Sequence, residues 1–263
     1  MNSHRPLVLG VLILLGALVS AGAAEESAEE DPKLVLVLSG GGARGIAHIG
    51  VIRVLEELHI APDLIVGTSM GSIIGGLYAA GWSPDEMEEI VRLIDWERIF
   101  TDRVDRNDQS FRRKQDDRPV LIQGRLYFDG MKLVMPSGVI RGQRLELALR
   151  IIEALSPAES DFDELPIPFR AVAADIATGD AVVISEGSLA TAMRASMSIP
   201  GALPPVQMDG RELVDGGITA NLPVGIAQDL GAHQIIAVDI SSPLLEEDDE
   251  EFESFLSIYT HLN

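Results

Sequence analysis

Lys33-Leu34-Val35-Leu36-Val37-Leu38-Ser39-Gly40-Gly41-Gly42-Ala43-Arg44-Gly45-Ile46, residues 33–46, decides the fold class. Leu34 to Leu38 are continuously apolar, with none of the polar alternation of a half-exposed strand. Lys33–Leu38 therefore reads as a strand covered on both faces, the kind found in parallel sheets. The glycine run turns the chain, and Ile46–His59 places Ile49, Ile52 and Leu55 close to helical spacing. Leu64–Val66 then returns as a second buried strand after a brief link, which completes one βαβ unit.

The pattern continues outward. A helix follows Gly67–Gly71 and ends near Gly81, a natural C-terminal cap. Ser83-Pro84-Asp85-Glu86 opens the next helix as a capping box with proline in its first turn. Further on come a helix over Gln143–Leu155, a strand Phe169–Asp175, a helix Ser188–Ser198 and a strand Glu212–Val214. A helix Val224–Leu230 closed by Gly231 and a strand Gln234–Ile240 complete the set. Alternating strands and helices predict an α/β fold of three layers with a mainly parallel sheet. Thr101–Arg118 and Leu126–Gly142 read as surface excursions. In them, Met131, Leu133, Val134 and Met135 are candidates for an apolar lip or for buried packing. Arg112-Arg113-Lys114 is a candidate headgroup contact, although a plain solvated face is the better account of it.

Composition bounds the rest. A chain of 263 residues, 46% hydrophobic, supplies the core of one α/β domain, assigned to 33–263. The formal charge of −21 excludes nucleic acid as a partner, since binding it takes clustered cations. Residues 1–24 have the parts of an export signal: Arg5, an apolar run Leu7–Val19 too short to span a bilayer, and small residues Ser20–Ala24. Cleavage after Ala23 or Ala24 would leave an acidic spacer over 25–32 and a periplasmic, outer-membrane-associated or secreted protein. Absence of cysteine excludes disulfides and thiolate metal sites.

Gly67-Thr68-Ser69-Met70-Gly71 is a Gly-x-Ser-x-Gly element between a buried strand and a helix, the setting of a nucleophile elbow. Its bland alternative is a tightly packed glycine turn. The Gly40–Gly45 loop ends the first strand and so lies at the same sheet edge as Ser69. The amides of Gly40, Gly41 and Gly42, with the charge of Arg44, read as an oxyanion hole, where one donor is typically worth about 3 to 4 kcal/mol of barrier. Gly40, Gly42 and Gly45 also match a dinucleotide fingerprint, but that site wants an acidic residue ending the second strand. That strand runs into Gly67-Thr68-Ser69, and Asp63 precedes it at the wrong edge. The five histidines, His4, His48, His59, His233 and His261, are poorly placed to act as a base. Asp215, ending a strand before Gly216-Gly217, can face Ser69; an Asx turn is its structural alternative.

A Gly-Gly-Gly-x-Arg-Gly loop, a Gly-x-Ser-x-Gly elbow soon after it and a distant Asp-Gly-Gly together closely resemble the patatin-like phospholipases. The resemblance runs from about Lys33 to Ile240. Arg194-Ala195-Ser196-Met197-Ser198-Ile199-Pro200-Gly201 and Asn221-Leu222-Pro223 are similar to family blocks that buttress the site. It implies a patatin-like α/β/α fold, Ser69 as nucleophile and Asp215 as its single partner. It also implies an acyl-serine intermediate, no metal or cofactor, and phospholipid or lysophospholipid esters at a membrane surface as substrate. An aspartate is by itself a weak base toward a hydroxyl, so this chemistry requires a direct hydrogen bond and partial withdrawal of water. A general carboxylesterase and a non-catalytic lipid-binding module are the rival readings, and a homodimer is compatible with any of them. An exported domain with an acidic tail is also similar to the released part of bacterial relatives that carry an outer-membrane barrel.

Overall fold

A computed structural model describes residues 33–94, 127–129, 132–134, 142–156 and 159–241. Residues 1–24, read above as an export signal, the acidic stretch 25–32, Thr101–Arg118 with its basic triplet, Met131, Met135 and the tail after 241 lie outside the described residues.

The opening stretch forms β1 (Leu34–Leu38), a 3-10 turn over Gly42–Ile46, α1 (Ala47–Glu57) and β2 (Leu64–Thr68). Next come α2 (Met70–Ala79), α3 (Pro84–Leu93) and a two-stranded hairpin, β3 (Tyr127–Asp129) with β4 (Lys132–Val134). The chain continues through α4 (Gln143–Ala154), β5 (Phe169–Asp175), β6 (Ala181–Ile184), α5 (Leu189–Ser196), β7 (Val206–Met208) and β8 (Arg211–Asp215). It closes with α6 (Gly217–Ala220), α7 (Val224–Asp229) and β9 (Gln234–Val238). The observed strands and helices follow the expected ones within a few residues. The hairpin, β6, β7 and the single turn α6 were not foreseen; each is three or four residues long, too short for a periodic pattern to register.

The main sheet has seven strands in the order β7-β8-β5-β2-β1-β9, with β6 also on β5. β9, β1, β2 and β5 are parallel neighbours. β6 and β8 both run antiparallel to β5, so the sheet is mixed and its parallel half carries the elbow. Alternate residues of β1 enter two different cores, which explains its unbroken apolar run. Leu36 and Leu38 pack with Ile52, Ile74, Leu77, Phe169 and Met193 on the face of α1, α2, α4 and α5. Val35 and Val37 pack with Val66, Val172 and Ala227 on the face of α6 and α7. Helices on both faces make the fold three layers deep.

Local chemistry fixes the ends of these elements. Ser83 accepts the Glu86 amide and Glu86 returns a bond to the Ser83 amide, so the expected capping box stands at the start of α3. Asp63 accepts the Leu34 amide at 2.7 Å, which ties β1 to β2 at the edge opposite Ser69. A ribose-holding role at that position is therefore geometrically closed to it.

Candidate active site

β2 ends at Thr68, and the chain reverses at Ser69 with φ 52° and ψ −119° before α2 begins. A non-glycine residue with positive φ is strained and persists only where its surroundings over-determine it. The two flanking glycines make the turn sterically feasible. A Cβ on Gly71 would lie 2.3 Å from the Leu38 carbonyl oxygen, and one on Gly67 would lie 2.5 Å from that of Gly71. Both approaches are to backbone, which cannot swing aside. Thr68 Oγ1 donates to the Ala220 carbonyl at 2.8 Å, and Ser72 Oγ donates to the Ser69 carbonyl at 2.7 Å. The turn is thus anchored before and after the serine.

Asp215 arrives from the opposite direction. β8 pairs antiparallel with β5 and places Asp215 opposite Ala173, while β2 pairs parallel with β5 and places Thr68 opposite Val172. The two registers bring Ser69 and Asp215 to the same height on either side of β5. Ser69 Oγ donates to Asp215 Oδ2 at 2.8 Å, and Gly217 N–H donates to Oδ1 at 2.8 Å. Asp215 is 1% exposed and Ser69 8%, so the pair sits below the surface with only the serine side reaching outward. Both Asp215 oxygens therefore carry a protein donor. The amides of Asp215 and Gly216 donate to the carbonyls of Ser198 and Ser196 at 3.0 and 3.3 Å. Gly216 is required there, because a Cβ would lie 2.2 Å from the Val172 carbonyl oxygen.

The glycine loop lies against the serine: a Cβ on Gly40 would come within 3.1 Å of Ser69 Cβ. Its donors divide unevenly. Gly40 N–H is spent on the Asn221 carbonyl at 3.2 Å, and Arg44 N–H on the Gly41 carbonyl at 3.2 Å. The expectation that Gly40 contributes an amide to an oxyanion hole is thus revised, because the loop uses it to dock on α6. Arg44 is exposed, and its side chain has no hydrogen bond among the described residues, so its charge stays in solvent. The amides of Gly41, Gly42 and Ala43 have no acceptor among the described residues, and they directly follow Gly40 in the loop that meets Ser69, so they are the candidate donors to a developing oxyanion. Ala43, absent from the sequence reading, joins the candidates for that reason.

No histidine among the described residues bonds to Ser69 or Asp215. His48 is fully buried on α1, and its Nε2 lies 2.9 Å from the Ser39 carbonyl, to which it donates, while Nδ1 has no partner among the described residues. Burial pushes its pKa below the usual imidazole range, with the Ser39 bond opposing. His233 Nδ1 accepts the Lys33 amide, and His59 closes α1, so both belong to the far edge of the sheet. Among the described residues no three His, Asp or Glu side chains converge as a metal cluster.

A family model for patatin-like phospholipases matches residues 36–227, which contain the glycine loop, the elbow and Asp215. The chain belongs to the patatin-like phospholipase family. This patatin-like domain is 34% identical over 214 residues to an uncharacterised NTE family protein of Mycobacterium tuberculosis, covering 80% of this chain and 49% of the relative. It is 34% identical over 213 residues to human patatin-like phospholipase domain-containing protein 6, covering 80% of this chain and 13% of that protein. Over 207 residues it is 34% identical to lysophospholipase NTE1 of Mycosarcoma maydis, covering 79% of this chain and 10% of that one. The chain thus spans about half the length of the mycobacterial relatives and a small part of the others. Among solved structures it is similar to VipD of Legionella pneumophila, with a TM-score of 0.45 and 17% identity over 72% of this chain and 46% of that one.

Proposed function

We propose that this patatin-like domain is a serine lipid-acyl hydrolase that cleaves phospholipid or lysophospholipid esters with a Ser69–Asp215 dyad. The observation that carries the reading is the 2.8 Å hydrogen bond from Ser69 Oγ to a buried carboxylate at a strained strand-to-helix turn. Family membership and relatives named as phospholipases and a lysophospholipase support the substrate class.

The chemistry runs in two halves. Ser69 Oγ attacks the ester carbonyl as its proton passes to Asp215 Oδ2, and the carbonyl oxygen becomes an oxyanion facing the amides of Gly41, Gly42 and Ala43. Collapse breaks the ester bond, the alcohol leaves with the proton from Asp215, and the acyl group remains on Ser69. Water then attacks the acyl-serine with Asp215 as base and releases the fatty acid. The Gly217 bond holds Asp215 in orientation through both halves. On this reading the domain works at a membrane surface, and residues 1–24 export it. Mass analysis of protein recovered outside the cytoplasm should find a new N-terminus after Ala23 or Ala24; an intact Met1 there would remove the export signal.

The deciding experiment is fatty-acid release from phosphatidylcholine and lysophosphatidylcholine by wild type, Ser69→Ala and Asp215→Asn, with folding checked by thermal melts. Asp215→Asn is expected to lose activity by about 100-fold to 10,000-fold, the range typical of a lost acid–base group, and Ser69→Ala, which removes the nucleophile, at least as much. Release that survives Asp215→Asn would mean another base. Turnover of short-chain esters alone would make the domain a general carboxylesterase, and lipid binding without turnover would make it a binding module.

A further inference from the structure

Ser196, the last residue of α5, is fully buried. Its hydroxyl accepts the Ser69 N–H at 2.8 Å and donates to the Val172 carbonyl at 2.5 Å. A hydroxyl has one proton, so donation to Val172 leaves its lone pairs for the Ser69 amide, and the direction of both bonds is fixed. The backbone carbonyl of the same residue accepts the Gly216 N–H at 3.3 Å. Ser196 therefore holds the serine turn through its side chain and the aspartate turn through its main chain, with β5 as the common support.

Two consequences follow from this geometry. The Ser69 amide stands just before α2, where helix N–H groups have no partner within the helix, and it is spent on Ser196 rather than offered to an oxyanion. In addition, a residue at φ 52° needs its backbone held from outside, and the Ser196 bond fixes its N–H while Ser72 fixes its carbonyl. Alanine at 196 would leave the Ser69 amide and one bond to the Val172 carbonyl unmade in a buried place, freeing the turn to relax.

We propose that Ser196 is a positioning residue for the dyad: its hydroxyl sets the Ser69 backbone, and hence the approach of Oγ to both the ester carbonyl and Asp215. The proposal rests on the reading of Ser69 and Asp215 as nucleophile and base. Ser196 does not meet substrate, so its effect appears in the rate of attack and not in binding. A misplacement of about 1 Å can cost on the order of 100-fold in rate.

The test uses the full chain as wild type, Ser69→Ala, Ser196→Ala and Ser196→Cys, with Ser188→Ala as a comparison. Ser188 caps the other end of α5 through the Thr191 amide, so its loss weakens the same helix far from the dyad. Rates are read with p-nitrophenyl butyrate and with covalent labelling by a fluorophosphonate. Ser196→Ala is expected to lower kcat by about 10-fold to 100-fold with KM within about twofold, and to slow labelling in proportion. Ser196→Cys, close in size and a weak hydrogen-bonding group, should fold where alanine does not and show the same split. Ser188→Ala should lower the melting temperature and leave kcat unchanged. Wild-type kcat and labelling in folded Ser196→Ala or Ser196→Cys would overturn the positioning role while the dyad stands. Undiminished turnover in Ser69→Ala would overturn both readings together.

Discussion

The Gly40 amide donates to the Asn221 carbonyl at 3.2 Å, and the Asn221 side-chain oxygen lies 2.5 Å from where a Gly40 Cβ would stand. The first glycine of the loop is therefore a docking point between β1 and α6, and it owes its identity to that approach. Its φ is not in the left-handed region, whereas Gly42 has φ 56° and open space around it. The two glycines are needed for different reasons, one steric and one conformational.

Gly40→Ala should displace Asn221 and press on Ser69, lowering kcat by about 10-fold or more if Ser69 acts as proposed. Gly42→Ala meets no neighbour and should cost about 1 to 2 kcal/mol of stability from left-handed strain alone. Steady-state kinetics and urea unfolding on the two variants separate these effects.

Gly71→Ala would drive a methyl into the backbone oxygens of Leu38 and Ser39, at 2.3 and 2.6 Å, and should abolish soluble expression or lower the melting temperature sharply. Gly50→Ala is the opposite case. It lies in α1, exposed, with nothing within 4 Å of the added Cβ, and should stabilise by about 0.5 to 1 kcal/mol.

Ser83→Ala removes the capping box of α3 and should cost about 1 kcal/mol by urea denaturation at neutral pH. The hydrogen bonds from Ser83 hold the Glu86 carboxyl below the usual glutamate range. A depressed folded pKa gives stability that is present above the unfolded value and lost as pH falls through the folded one. The difference between wild type and Ser83→Ala should therefore shrink on acidification below the ordinary glutamate range. A difference independent of pH would show that Glu86 adds nothing to the cap.

His48 titrates with the opposite consequence for its own charge. The unfolded chain takes up its proton as pH falls through about 6.5, and the buried imidazole resists, so stability declines from there down to the lowered folded value. Unfolding free energies at pH 7.5 and 5.5 should show a loss in wild type that is smaller in His48→Gln. An identical loss in both would assign the pH dependence elsewhere.

The sequence by itself determined the parallel half of the sheet, because β1 from Leu34 to Leu38 and β2 from Leu64 to Val66 must be continuously apolar when two cores share them. It also determined the caps at Ser83 and Gly81, where local hydrogen bonding and left-handed backbone leave a residue signature. Gly67, Ser69 and Gly71 were legible as an elbow for the same local reason, and Asp215 stood out only as an acid ahead of two glycines. What the tertiary structure decided was everything that depends on register across β5. The antiparallel entry of β8, which sets Asp215 opposite Ala173, leaves no mark in its short apolar pattern. Nor could the sequence say that the Gly40 amide is already bonded, that Ala43 faces no acceptor, or that the Ser196 hydroxyl holds the Ser69 amide. Those pairings join residues far apart in the chain, and hydrogen-bond partners at such separation are chosen by packing rather than by neighbouring residues.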